Sequence, residues 1–388
     1  MKSNYKKLGL YIQRVDIRNK ENKQDSLLGV STRKIFIPSV ANTIGIDFKK
    51  YKIVKKNQFT YVPDTSRRGD KIGIAMLENN EKALVSQAYT VFESINNDNL
   101  LPEYLMMWFR RKEFDRYSRY KSHGSVREIF DWDEMCEVEL PIPSIEKQKE
   151  IVKEYHTITD RIKLNEQLNQ KLEETAQEIF NDTFNCDIPN EINLVRLGDL
   201  IEIRGGFSYQ SKDLSKGKAY LLGMGCISFS SRFLDNGMRL YSDDYPEKHL
   251  VKSRDIIIAT RQQSENMPIL GYPAMIPSGL EDEKLIIASN LYRVINNSDL
   301  NNEVLYQLLR SSNYLEHIKL NTKGTTVGMI TKDAIEDFYF YLPSAKSIFK
   351  LKSELKSIVD LIFFKKREIK KLIQLKEIFL SKMATIKE

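Results

Sequence analysis

The chain has 388 residues, 41% hydrophobic and 29% charged, which is enough for two or three domains with their own cores and too apolar for a disordered polymer. No apolar run approaches the roughly 18 residues that span a bilayer, and the start MKSNYKK has no secretory h-region. The cysteines Cys136, Cys186 and Cys226 are scattered and odd in number, which argues against a disulfide framework and sets the expectation of a reducing cytoplasm.

Residues 1–143 read as one mixed α/β domain. LGLYIQRVDIR (8–18) has the alternation of an opening strand, as do YKIVKKNQFTYVP (51–63) and KALVSQAYTVFES (82–94). LPEYLMMWFRRKEFDRYSRY (101–120) has helical spacing through Leu105, Trp108 and Phe109. SHGSVREIF (122–130) reads as a loop with a short turn, and CEVELPIP (136–143) as a closing strand.

A long helix is expected over 144–185. After Pro143 this stretch has neither Gly nor Pro. Ile151, Tyr155, Ile158, Ile162, Asn165, Leu168, Leu172, Thr175 and Ile179 recur at threes and fours, with an average step of about 3.5, the coiled-coil period. Ser144 suits the N-cap, and Glu146 and Glu150 suit the positive end of the helix dipole.

Residues 188–343 repeat the first plan. LVRLGDLIEIRGG (194–206), LVKSRDIIIATR (250–261) and LIIASNLYRVI (285–295) read as strands, 300–320 as helix, KGTTVGMI (323–330) as loop and DFYFYLP (337–343) as closing strand. A second long helix over 344–388 carries Ile348, Leu351, Leu355, Ile358, Ile362, Lys365, Ile369, Leu372, Leu375 and Phe379. Pro143-Ser144 and Pro343-Ser344 lie 200 residues apart, and the offset persists in Glu103/Glu303, Leu105/Leu305, Arg110/Arg310, Gly124/Gly324 and Asp133/Asp333. We read the chain as a tandem duplication of domain plus helix. The expected fold is α/β (α+β), with two mixed α/β domains separated by an antiparallel pair of long coiled-coil helices.

The charge supports that pairing. Residues 346–388 carry twelve basic and five acidic side chains, against six basic and nine acidic in 145–185. Opposite signs suit partners in cis. In the expected antiparallel register Ile151 lies by Phe379, Ile158 by Leu372, Leu168 by Ile362 and Leu172 by Ile358. Asn165 then meets Lys365 as the polar pair that fixes register.

Catalytic signatures are missing. There is no GxxxxGK[ST], no methyltransferase tetrapeptide and no Gly-rich cofactor loop, and His123, His156, His249 and His317 lie too far apart for a zinc spacing. No catalytic residue and no metal site is expected. What remains is a pair of readers at fixed separation, which implies a two-part target with an unread spacer. The loop residues with base-reading or phosphate-binding chemistry are Arg33, Lys34, Arg67, Arg68 and Arg127 in the first domain. In the second they are Arg204, Tyr209, Gln210, Lys212, Arg261, Gln262 and Lys323.

Over essentially its whole length the sequence resembles the specificity subunit of type I restriction–modification enzymes. LPIPSIEKQKEIV (140–152) resembles the Pro-rich strand end and acidic-x-Gln start of that family's central conserved helix, and LVRLGDLIEIRGGFSY (194–209) the opening of a target recognition domain. The middle of that domain is matched by YKIVKKNQFTYVP and ALVSQAYTVF, and the duplicated C-terminal helix completes the pattern. The resemblance implies a subunit that reads bipartite double-stranded DNA, is non-catalytic alone, and recruits two methylation and two restriction subunits. S-adenosylmethionine, ATP and magnesium would then belong to those partners, and no cofactor to this chain. Glu146 and Gln148, in the acidic-x-Gln triplet, become candidates for partner docking. The second copy departs there, since Ile348 stands opposite Gln148. Three alternatives stay open: a specificity subunit serving a combined nuclease–methyltransferase, a coiled-coil adaptor that binds protein, and a self-contained nuclease or methyltransferase with cryptic motifs.

Overall fold

The computed structural model describes residues 5–22, 26–39, 47–65, 69, 71–124, 128–186, 193–230, 232–262, 269–324 and 327–386. The chain divides into two compact bodies, one of Met1–Lys163 with Lys371–Glu388 and the other of Leu164–Lys370.

In chain order the first body holds β1 (Tyr5–Lys7), β2 (Ile12–Val15), β3 (Leu27–Val30), β4 (Phe36–Pro38), β5 (Lys52–Lys55), β6 (Phe59–Tyr61), β7 (Ile74–Met76), β8 (Lys82–Val85) and β9 (Thr90–Ser94). Then come α1 (Pro102–Phe109), α2 (Lys112–Tyr120), α3 (Trp132–Cys136), β10 (Glu139–Pro141) and the start of α4 (Ile145–Cys186). After α4 the second body holds β11 (Leu194–Arg196), β12 (Ile201–Gly205), β13 (Leu214–Leu222), β14 (Arg239–Tyr241), β15 (Leu250–Val251), β16 (Ile256–Ala259), β17 (Arg261–Gln262), β18 (Pro273–Met275), β19 (Leu285–Ile287) and β20 (Leu291–Asn296). It continues with α5 (Asn302–Leu308), α6 (Ser312–Leu320), β21 (Gly328–Met329), α7 (Lys332–Glu336), β22 (Tyr339–Tyr341) and α8 (Ala345–Lys382), which belongs to this body as far as Lys370.

The two bodies share a strand order. The first has sheets β2-β9-β6-β7 and β4-β3-β8-β5 and the pair β1-β10; the second has β12-β20-β16-β18, β14-β13-β19-β15 and β11-β22. Even the parallel pairing of β3 with β8 recurs between β13 and β19. The pair β17-β21 of the second body corresponds to a single bridge, Asp64 with Ile129, among the described residues of the first. The matching glycines agree as well: Gly124 has φ 139 and Gly324 φ 100, a region that a side chain at Cβ disfavours.

Three expectations need correction. The single helix expected over 101–120 is two, because Arg111 adopts an extended conformation between α1 and α2. In the second copy Ser311 makes the same break, its hydroxyl accepting from the Tyr314 amide as an N-cap. The strand expected over 136–143 begins only at Glu139, behind the short helix α3. β3, β4, β13 and β14 fall in stretches where no strand was expected.

The stripe on α4 departs from its expected course. Ile151, Tyr155, Ile162 and Asn165 are buried as expected, but beyond Asn165 burial passes to Asn169, Glu173, Ala176 and Phe180, and Leu168 is 38% exposed. An ordinary helix turns in about 3.6 residues, so a stripe laid out at 3.5 drifts off the buried seam after a few turns.

Within the first body, Ile151 and Tyr155 share a core with Leu380 and Met383. The Tyr155 and Phe379 rings are 6.5 Å apart, one turn along from the expected partner Ile151. Within the second body, Ala176 and Phe180 pack with Leu355, Val359 and Ile362, and Leu172 and Ile358 lie against the same core. In the first body the start of α4 thus meets the end of α8, and in the second body the end of α4 meets the start of α8, the order of antiparallel helices.

The proposed Asn165–Lys365 register pair is not formed. Lys365 Nζ donates to Glu368 at 2.8 Å, and the buried Asn165 Nδ2 has no partner among the described residues.

Candidate nucleic-acid interface

In the second body the ends of several strands converge on one edge. Gly205 closes β12 opposite Tyr292, and Ala259 closes β16 opposite Leu291, so both strands end where β20 begins. The other sheet joins there. Phe207 N donates to Ile287 O at 3.1 Å, Ala288 N to Leu222 O at 2.9 Å and Thr260 N to Asn290 O at 3.1 Å. Gly206 permits the junction, since an added Cβ would lie 2.1 Å from Ala288 O.

This edge gathers several of the expected residues. Tyr209 and Gln210 follow β12 directly, and Arg261 and Gln262 form β17 just beyond β16. Arg261 and Lys323 both pair through backbone with Met329, which brings the 323–330 loop to the same place. Arg261, Lys323, Gln210 and Lys212 are exposed. Arg204 is committed elsewhere, its Nη2 lying 2.9 Å from Glu202 Oε1. The Gln262 side chain lies outside the described residues, as do Arg67, Arg68 and Arg127 of the first body.

The first body presents the corresponding edge, where β2 ends opposite Val91, β6 opposite Thr90 and the β3–β4 hairpin turns through Ser31–Ile35. Arg33 is exposed at that turn.

Lys34, expected as a DNA contact, is buried. Its Nζ lies 2.5 Å from Asp115 Oδ1, and that oxygen also accepts from Ile72 N at 3.1 Å. Burial pulls the Lys34 ammonium below the ordinary lysine value, while Asp115 raises it. The left-handed conformation at Lys34, φ 63, turns the side chain inward, and composition gives no sign of this.

Sequence reading also passed over Arg14 and Arg239. The Arg14 guanidinium lies 5.0 Å from the Trp132 ring centre, and that of Arg239 5.1 Å from the Tyr209 ring centre. Arg14 sits in a strand that alternation identifies. Arg239 opens β14, whose partner β13 reads LSKGKAYLL and lacks a clean alternation.

A family model described as the type I restriction modification DNA specificity domain matches residues 15–174 and again 189–375. The chain belongs to that family. This specificity subunit is 26% identical over 316 residues to the specificity subunit of the type I restriction enzyme MjaIX of Methanocaldococcus jannaschii, covering 74% of this chain and 69% of that one. Its identity to the MjaVIII specificity subunit of the same organism is 24% over 340 residues, covering 81% and 75%. In fold it resembles the crystal structure of a type I restriction–modification system S subunit from M. genitalium, with a TM-score of 0.57 over 99% of this chain and 96% of that one, at 11% identity. No helix among the described residues is long and apolar enough to cross a membrane.

In the specificity subunit the acidic-x-Gln triplet does internal work. Gln148 is wholly buried, so it cannot dock a partner as expected. Its Oε1 accepts from Leu101 N at 2.9 Å, and its Nε2 donates to Asn99 O and Pro143 O, each at 2.9 Å. It therefore ties the first turn of α4 to the start of α1. Ile348 has no such capacity and is buried in the apolar core. In the second copy Asn301 links the two helices instead, capping α5 through Val304 N at 3.2 Å and donating to Lys352 O at 3.1 Å. Glu146, by contrast, is exposed. Gln148→Ala should cost roughly 1–3 kcal/mol, because the buried side chain is lost as partner to the Pro143 carbonyl and to the half-buried backbone groups of Asn99 and Leu101. Chemical denaturation would check this, and a loss below about 1 kcal/mol would contradict it.

Proposed function

We propose that this specificity subunit reads a two-part double-stranded DNA sequence, one part with each body, and is itself non-catalytic. The observation that carries the reading is the repeated strand order, which in each body brings polar loops to one edge of two joined sheets. One reader duplicated along a chain gives two half-sites, and α4, a continuous 42-residue helix, links the copies. Arg33, Tyr209, Gln210, Lys212, Arg261 and Lys323 supply contacts there, with Arg67, Arg68, Arg127 and Gln262 as further candidates. The methylation and restriction subunits, two of each, bring S-adenosylmethionine, ATP and magnesium, and the complex works in the cytoplasm. Glu146 and the exposed apolar residues Leu361, Phe364, Leu375 and Ile378 of α8 are available for docking them.

The test is a four-residue insertion in α4. It adds about 6 Å of rise, more than one base-pair step of about 3.4 Å. With the modification subunit co-expressed, the mapped adenine-methylation motif should keep both half-sites and change its spacer. Altered half-site bases with an unchanged spacer would refute the bipartite reading.

A further inference from the structure

We propose that Arg239 reads a guanine in the half-site bound by the second body, with Tyr209 positioning its guanidinium. This rests on the DNA-reading function above and names one residue of that interface. Arg239 stands opposite Leu221 on β13, one residue before the strand ends at the edge. Its Nη2 donates to Tyr209 Oη at 2.9 Å, while the guanidinium lies 5.1 Å from the centre of the Tyr209 ring. Tyr209 is half-buried among Ala219, Leu221, Tyr241 and Ile286, so the platform is itself fixed by packing.

Charge pairing separates Arg239 from its neighbours. Between residues 194 and 341 there are eight arginines. Arg196, Arg204, Arg232, Arg254, Arg293 and Arg310 each have a carboxylate within 4.0 Å. Among the described residues Arg239 and Arg261 do not, and both are exposed at the edge that gathers the loops. An arginine already bound to a carboxylate must break that pair to bind a base. An unpaired one keeps its donors available. Arg239 has in addition one fixed nitrogen and one covered face, which restricts the side chain before any ligand arrives.

The remaining donors present a planar fork. Guanine offers O6 and N7 side by side in the major groove, the acceptor pair that such a fork matches. A phosphate would accept the same donors, but it carries no sequence information.

The experiment uses the full chain co-expressed with its own modification subunit on a randomised plasmid library, with methylated adenines mapped by sequencing. Arg239→Lys keeps the charge and loses the fork. Discrimination at one G·C pair of one half-site should fall about tenfold or more, with the other half-site unchanged. Tyr209→Phe, which removes only the hydroxyl, should soften the same position by less. Arg196→Lys, at an arginine bound to Asp337, should leave the motif intact. Matching thermal melts of variants and parent show that the fold is kept.

Uniform weakening at every site with an unaltered motif would make Arg239 a phosphate contact and overturn the proposal. An unchanged motif and rate would overturn it too. If the unsubstituted complex methylated DNA with no motif at all, the DNA-reading function itself would fall.

Discussion

Replacing Asp115 with Ala should destabilise the first body by roughly 3–5 kcal/mol. The Lys34 side chain is 6% exposed and that of Asp115 11%, so neither charge can turn to water without opening the fold. Alanine would strand the ammonium and also orphan the Ile72 amide, which shares the same oxygen. Because burial holds the Lys34 ammonium below 10.5, the unfolded chain binds more protons than the folded one between that lowered value and 10.5. Stability should therefore rise with pH across that alkaline window. Both tryptophans, Trp108 and Trp132, lie in this body, so their fluorescence in urea reports on it alone. Lys34→Met with Asp115→Leu should recover most of the loss, since a well-packed apolar pair avoids the desolvation of both ions. A single-variant loss under about 1 kcal/mol would mean that the pair is not buried as described.

The second large effect is expected at Glu173. It is the acidic member of a charged cleft in the second body, lined also by Phe233, Tyr306, Gln307, Arg310 and Lys366. Arg232 Nε lies 2.5 Å from its carboxylate and Arg310 Nη2 4.0 Å. Burial pushes the Lys366 ammonium below its ordinary value, with Glu173 the main opposing influence. Glu173→Ala leaves three cations facing one another across that cleft. We expect a loss of roughly 2–4 kcal/mol, below the full cost of a broken buried pair because Arg232 is one-third exposed and can swing into solvent. Hydrogen exchange along the second half of α4 would locate the loss. Lys366→Met in the same background should restore part of it, and no restoration would show that Lys366 does not sense Glu173.

The sequence made the coarse plan legible and hid the fine one, for identifiable reasons. Helix starts at Ser144 and Ser344 were readable because cap, proline and apolar stripe coincide. The duplication was readable because its offset is constant over the second half of each copy. The β3–β4 and β13–β14 hairpins were not, since Leu27–Val30 is too short for a pattern and β13 carries a left-handed Ser215 and a bulge between Leu214 and Ala219. Lys34 and Gln148 were assigned to ligands because Lys and Gln are usually exposed, and only tertiary contacts reveal them as buried anchors. Arg239 was missed for the complementary reason. Its distinction is a neighbour thirty residues away, which no local pattern records.

The pairing of β1 with β10, and of β11 with β22, has a consequence for how such genes change. Tyr5 stands opposite Pro141 and Leu194 opposite Tyr341, so the sheet-bearing segment of each body begins and ends side by side. A segment bounded in this way behaves as a cassette. Genetic exchange with breakpoints just outside these strands would replace one sheet-bearing segment whole and leave α4 and α8 uncut. Such an exchange avoids the run of destabilised intermediates that residue-by-residue change would impose, and on the proposed function it would alter one half of the target in a single event.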